Sequence, residues 1–445
     1  MAETKTHGPR PLSLLVGMAL GIALGIACRA SAGDSEPPWL RFVTDSVAGP
    51  IGQIFLRSLF MLVVPLLFSG LVVGVCELDL KKLGRIGGRT IGYTVLASTV
   101  SVVIGLTLVS VFQPGASASG DLRESLARAE APPAAKAPSD TSAVGILVAM
   151  VPDNPVRAAA NGDMLALIVF SLLFGIALSL TSTPAAERLR EMIQGLFDVS
   201  MTLILLVLKL APLGVGALMF SLATRIGTDL FGLLFAYVAT VLSALALHMF
   251  GFYSLTIRLL GRRSPVEFFR SVRLAMLTAF STASSNATLP TALQVAETEL
   301  KLPRHVSRFV LTAGAAMNQN GTALFEGVTV LFLAQVFGVE LALHQQALVM
   351  AICILAGIGT AGVPAGSIPV IAMILTMIGV PTQGLGLILG VDRFLDMCRT
   401  TVNVTGDLAA AVVVARGERE PESAGGRGVG VHADDQRAEV LAEDR

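Results

Sequence analysis

Residues 391–407 read VDRFLDMCRTTVNVTGD and set Asp392, Asp396, Arg399, Asn403 and Asp407 at helical spacing. At 3.6 residues per turn these five fall within an arc of roughly 80°, so a helix here carries one polar stripe between the apolar runs 388–389 and 408–414. An arginine held in such a stripe offers a planar fork of donors that fits a carboxylate bidentately. Asp396, one turn away, offers the opposite charge to an ammonium. The pair describes a site for a small molecule bearing both signs, such as an acidic amino acid. Asp407 lies two turns beyond Arg399, too far to neutralise it, and with Asn403 and backbone carbonyls it offers hard oxygen ligands to a monovalent cation such as sodium. The alternative is an internal ladder from Asp392 and Asp396 to Arg399, which leaves Asn403 and Asp407 without a role.

Three further segments carry the same kind of polarity in apolar surroundings. MNQNGTALFEG, residues 317–327, interrupts an apolar run that otherwise extends over 306–336. Gly321 and its small polar neighbours let the backbone unwind there and free carbonyls for an ion, which at membrane depth is tolerated only beside a cavity. Glu326, one turn past Thr322, is a carboxyl inside the apolar run and a candidate proton carrier. FSTASSNATLP (280–290) and AGIGTAGVPAGSIPV (356–370) are small-residue tips between short apolar arms. Both read as re-entrant helical hairpins whose N–H groups can meet an anion, and a broken element repeated in two halves points to an inverted-repeat transport site. Ser284 and Ser285 have no histidine base nearby in sequence, and Asp392 and Asp396 share one helix with an arginine, so neither a serine hydrolase nor an aspartyl protease is indicated. Asn286, Asn320 and Asn403 match the glycosylation sequon but lie inside apolar stretches.

The elements that must position these groups follow from composition. The 445 residues are 53% hydrophobic and 14% charged, with a mean hydropathy of +0.73, against about 25% charged in a soluble domain. Apolar runs at 11–29, 48–76, 87–112, 161–181, 195–223 and 228–258 approach or exceed the roughly 20 residues that a helix needs to cross a bilayer. With the broken helix at 306–336 and the long segment 382–415, the chain reads as an all-α polytopic membrane protein of eight transmembrane helices plus two re-entrant hairpins. There each ionisable group at mid-bilayer costs about 2.5–3.5 kcal/mol on the mildest scale, so the stripe must face a solvated or ligand-filled space. Basic clusters at Lys81–Arg89, Arg188–Arg190 and Arg258–Arg273 alternate with mixed-charge loops. By the positive-inside rule they put both termini on the cytoplasmic side of the cell membrane. The balance of 32 basic and 32 acidic residues gives no reason to expect nucleic acid. Cys28, Cys76, Cys353 and Cys398 stand singly, without metal or disulfide spacing, and the five histidines read as interfacial or packed. Residues 1–10 form a cytoplasmic N-terminus and 417–445 a charged, Gly-rich tail expected to be disordered.

These residues resemble the dicarboxylate/amino acid:cation symporters, which include the excitatory amino acid transporters and their bacterial and archaeal relatives. The similarity runs from about residue 11 to 416 and is most specific after 264. Residues 391–407 are similar to the family's eighth helix nearly position for position, and 318–322 to its Asn-Met-Asp-Gly-Thr signature. Residues 281–290 and 361–369 are similar to its two hairpin tips.

The resemblance implies that Arg399 binds a substrate side-chain carboxylate, Asp396 the α-amino group, and Asn403 and Thr322 carboxylate oxygens. Backbone around Ser285 and Val363 completes the site, and Asp392 orients Arg399. Asp407 with carbonyls at Gly314, Asn318 and Asn403 would form a sodium site, and carbonyls around Thr322 and the second hairpin another. It further implies a homotrimer in which helices 3, 6, 7 and 8 and both hairpins move as an elevator against a scaffold. Residues 11–258 would then supply scaffold helices 1, 2, 4 and 5 with transport helices 3 and 6, and 264–416 the transport core. The expected activity is symport of aspartate or glutamate with sodium and/or protons, with a C4-dicarboxylate or a neutral amino acid as the alternative substrate. Three departures stand out. Asn320 replaces the signature aspartate, and Tyr93–Ser98 is poor in oxygen ligands, so fewer sodium ions are expected to couple. Glu326 sits where proton-coupled members carry a glutamate. Ala365–Pro369 puts a proline on the outgoing arm of the second hairpin.

Overall fold

The computed structural model describes residues 11–32, 37–77, 84–116, 118, 148, 151–161, 164–227, 229–359 and 367–418. The regular structure among the described residues is helical throughout. In chain order the main helices are Pro11–Ala32 (α1), Gly49–Phe60 (α2), Val63–Glu77 (α3), Arg85–Phe112 (α4), Met164–Leu180 (α5), Pro184–Lys209 (α6), Ala211–Ile226 (α7), Asp229–Ala246 (α8), Pro265–Thr282 (α9), Ser285–Thr298 (α10), Arg304–Met317 (α11), Asn320–Val336 (α12), Leu343–Gly359 (α13), Ser367–Met377 (α14) and Leu385–Val414 (α15).

Among the described residues two unbent rods are long and apolar enough to cross a bilayer, Arg85–Phe112 and Leu230–Leu259, of 28 and 30 residues. The second is α8 continued through a π-turn, Leu247–Phe252, into Tyr253–Leu259. His248 sits in that turn, buried and stacked on Phe252 with ring centroids 5.0 Å apart, which fits a packed histidine. Two of the expected apolar runs are broken. The run at 48–76 divides at Met61–Leu62 into α2 and α3. The run at 195–223 belongs to α6, which starts earlier, at Pro184, and α7, which restarts after Leu210 with Pro212 in its first turn, where a missing N–H does no harm. The 30-residue α15 has the length to span, but its charged stripe removes it from the apolar class.

Helix α1 lies along α7 at backbone contact. A Cβ added at Gly17 or Gly21 would strike the carbonyl oxygens of Pro212 or Gly216, and one at Gly25 would come within 2.7 Å of the Phe220 oxygen. This small-residue seam is how helices associate in a solvent as apolar as their own side chains. At the other extreme α12 is enclosed: of its 17 residues all but Gln335 are buried, with α4, α8, α13, α14 and α15 packed around it. The outward faces of the remaining helices expose Leu24, Leu173, Met192, Phe235 and Phe250. So much exposed apolar surface is rare on a soluble monomer and matches a lipid surround.

Candidate functional site

The site begins where the apolar run 306–336 breaks. Helix α11 ends at Met317, Asn318 (φ −102°, ψ 57°) and Gln319 (φ −91°, ψ 55°) leave helical geometry, and α12 starts at Asn320. A helix start leaves orphan N–H groups, and here a side chain from α15 takes two of them. Asn403 Oδ1 accepts from Gly321 N at 2.7 Å and Thr322 N at 3.4 Å, while its Nδ2 donates to Gln319 Oε1 at 2.6 Å and Thr322 Oγ1 at 3.0 Å. Gly321 is required for the approach, because a Cβ would lie 2.6 Å from the Arg399 carbonyl oxygen.

The stripe on α15 carries the charge. Arg399 is 1% exposed; its Nη1 lies 3.0 Å from Asp392 Oδ1 and its Nη2 3.0 Å from Asp396 Oδ1. Its guanidinium stacks on the Phe325 ring of α12, 4.2 Å from the centroid, a favourable cation–π geometry. The ladder weighed as an alternative therefore does form. The two residues it left over are held elsewhere: Asn403 by the start of α12, and Asp407 by Asn318, whose Nδ2 donates to Asp407 Oδ1 at 2.8 Å. Asn318 Oδ1 is buried without a hydrogen-bond partner among the described residues. Gly314 faces the same carboxylate, where a Cβ would lie 2.5 Å from Asp407 Oδ1. This knot of buried oxygens, one of them unpartnered, fits a hard cation with oxygen ligands.

Glu326 is fully buried and both of its carboxyl oxygens lack partners among the described residues. It follows Phe325, the ring on which the Arg399 guanidinium rests. Asn320 is tied into a neutral network. Ser98 Oγ donates to its Oδ1 at 2.7 Å, its Nδ2 donates to Tyr253 Oη at 3.2 Å, and Tyr253 donates on to the Val402 carbonyl at 3.2 Å.

The segment expected as the first hairpin turns back on itself beside α15. Helix α9 ends at Thr282, Ala283 turns the chain in the left-handed region (φ 48°), and Ser284 caps α10 by accepting from Ala287 N at 3.3 Å. Both arms pack on α15. Ser285, at the start of α10, is buried with its hydroxyl unpartnered among the described residues. The arms expected for the second hairpin, α13 and α14, pack on α12. Residues 360–366 of the expected tip, Val363 among them, lie outside the described residues. Ser367, opening α14, is buried with a hydroxyl likewise unpartnered.

Arg399, Asp392 and Asp396 thus form one charged group along α15, Asn403 and Thr322 a hydrogen-bonded pair between α15 and the start of α12, and Asp407, Asn318 and Gly314 a third group between α15 and the end of α11. Sequence reasoning passed over Phe325, Gln319, Tyr253 and Arg393. Gln319 and Phe325 each lie three residues from the singled-out Thr322, at helical spacing, and were legible in principle. Tyr253, on a distant apolar run, had no local signal. Arg393 was read as part of the motif without a role, although its Nη1 lies 3.2 Å from Asp396 Oδ2.

Residues 11–417 match the family model of the sodium:dicarboxylate symporters. The chain is 33% identical over 414 residues, 92% of each chain, to the proton/glutamate-aspartate symporter of Escherichia coli (strain K12). It is 32% identical over 376 residues to the proton/sodium-glutamate symport protein of Bacillus caldotenax, covering 83% of this chain and 87% of that one. It is also 32% identical over 378 residues to the C4-dicarboxylate transport protein of Rhodospirillum rubrum, with 84% and 83% covered. A match over this length, on a multi-helix chain with buried charge at a broken helix, is one of kind: the protein belongs to the sodium:dicarboxylate symporter family, a family of transporters and not of enzymes.

Proposed function

We propose that this protein is a secondary active symporter of acidic amino acids, aspartate or glutamate, coupled to sodium and/or protons. The observation that carries this reading is the wholly buried Arg399, held between Asp392 and Asp396 beside the broken start of α12. Burying such a cluster purely for stability gains little over apolar packing, whereas a guanidinium fixed beside an acid recognises a zwitterion with an extra carboxylate.

In this reading Arg399 takes the substrate's side-chain carboxylate, Asp396 its ammonium and Asp392 holds the arginine in register. Asn403 and Thr322, already hydrogen-bonded to each other, share the other carboxylate with backbone at Ser285 and Val363. The hydroxyls of Ser285 and Ser367, without partners among the described residues, add two donors. Asp407, Asn318 and the carbonyls at Gly314 and Asn403 hold a co-transported sodium ion, with a second among the carbonyls around Thr322. Glu326, in an apolar helix and without a hydrogen-bond partner among the described residues, carries the proton. The amide at Asn320 is already satisfied by Ser98 and Tyr253, so a cation bound there in other members is absent and fewer sodium ions move per cycle.

The eight crossings, the two re-entrant hairpins as inverted repeats and the elevator trimer belong to the same proposal. So does the division into a scaffold within 11–258 and a transport core at 264–416, in a cell membrane with both termini cytoplasmic. The names of the Escherichia coli and Bacillus relatives support the amino acid as substrate. The Rhodospirillum relative keeps a C4-dicarboxylate as the second reading, and Asp396 disfavours it, since succinate brings no ammonium to meet that charge. Uptake of labelled aspartate, glutamate and succinate into proteoliposomes, with sodium, proton and potassium gradients imposed one at a time, tests the assignment. Concentrative aspartate uptake is expected, and passive equilibration under every gradient would contradict it.

A further inference from the structure

The carboxylate proposed for the substrate ammonium already has two guanidiniums on it. Asp396 Oδ1 pairs with Arg399 Nη2 at 3.0 Å and Asp396 Oδ2 with Arg393 Nη1 at 3.2 Å. The two cations are not equally committed. The Arg399 side chain is 1% exposed, binds Asp392 as well and is stacked on Phe325. The Arg393 side chain is 18% exposed, and its Nε is buried without a partner among the described residues. Of the two, Arg393 is the one that can leave.

We infer that Arg393 is a specificity-determining residue that stands in for the substrate's ammonium at Asp396 and withdraws when an amino acid binds. The inference rests on the proposed role of Asp396. Asp392, Asp396, Arg393 and Arg399 balance to zero charge, so each acid of the stripe has a cation beside it. An amino acid brings its own ammonium and displaces Arg393 from Oδ2. A dicarboxylate brings none and leaves Arg393 in place, so Asp396 stays neutralised and repels it less. Arg393 therefore competes with amino acids and assists dicarboxylates, and the residue narrows the preference that Asp396 alone would impose.

The test is the ratio of succinate to aspartate half-maximal concentrations, from competition against labelled aspartate in proteoliposomes, for the parent, Arg393→Met and Arg393→Lys. Removal of the competing charge is expected to raise that ratio of half-maximal concentrations by about tenfold, through weaker succinate and equal or tighter aspartate. Lysine is expected to restore the parental ratio. A ratio within about twofold of the parent in Arg393→Met, or equal weakening of both ligands, would overturn the role of Arg393 while leaving the substrate reading intact. Asp396→Asn, run in parallel, separates the two. If it leaves aspartate affinity unchanged, the ammonium site itself is misplaced and the inference about Arg393 falls with it.

Discussion

Arg399 has almost no contact with solvent, yet its charge is met from both sides by carboxylates on its own helix and from above by Phe325. This arrangement keeps the fork fixed and makes each acid separately testable. Asp396→Asn retains the shape and removes the charge. It is expected to raise the aspartate KM by about ten- to a hundredfold, the range of a charge-assisted hydrogen bond, and to leave succinate competition no weaker than in the parent. Unchanged aspartate KM would rule Asp396 out as the ammonium partner. Glu326→Gln keeps the volume and removes the exchangeable proton; lowering external pH is expected to speed uptake in the parent and to have no such effect in the variant. An unaltered pH profile would exclude Glu326 as the carrier. Gly314→Ala would push a methyl to within 2.5 Å of Asp407 Oδ1. Moving a carboxylate that holds a cation typically costs ten- to a hundredfold in affinity, so the sodium concentration for half-maximal uptake is expected to rise by about tenfold. The charged residues of this cluster were legible because period and polarity marked them inside an apolar segment. Their partners were less so: nothing in the spacing of Asn403 says that its amide caps a helix more than 80 residues earlier, because a cap shared between helices is a tertiary fact.

Among the elements, the broken helix was the clearest to read. The polar interruption at 318–322 sits between two apolar stretches, and the break falls at Asn318–Gln319. The break at Met61–Leu62 and the bend at Leu210 were not foreseen, since continuous hydropathy hides an interruption when both arms are apolar. The seam of α1 on α7 had a signal that hydropathy alone discards: Gly17, Gly21 and Gly25 recur every fourth residue, the spacing that brings helix backbones together. Gly21→Leu forces a side chain into the backbone of Gly216. Overpacking of this kind costs about 1–3 kcal/mol, so a lower thermal midpoint in detergent is expected. A midpoint equal to the parent's would mean that α1 can move off α7 at no cost.

At the scale of the whole molecule, composition settled the solvent before any element was placed, and the apolar side chains on the outer helix faces agree with it. Assembly is beyond one chain's reach, because lipid and a neighbouring copy ask the same apolar surface of a helix. Native mass spectrometry from mild detergent addresses it, with a species of three times the 46.3 kDa chain expected and a lone monomer against the trimer. The account as a whole stands on the side chain of Arg399. The decisive measurement is accumulation of labelled aspartate in proteoliposomes under an inward sodium or proton gradient, for the parent and for Arg399→Ala purified with the same elution profile. The parent is expected to concentrate aspartate and the variant to fail at every gradient. A folded Arg399→Ala protein that accumulates aspartate to the parental level would contradict it.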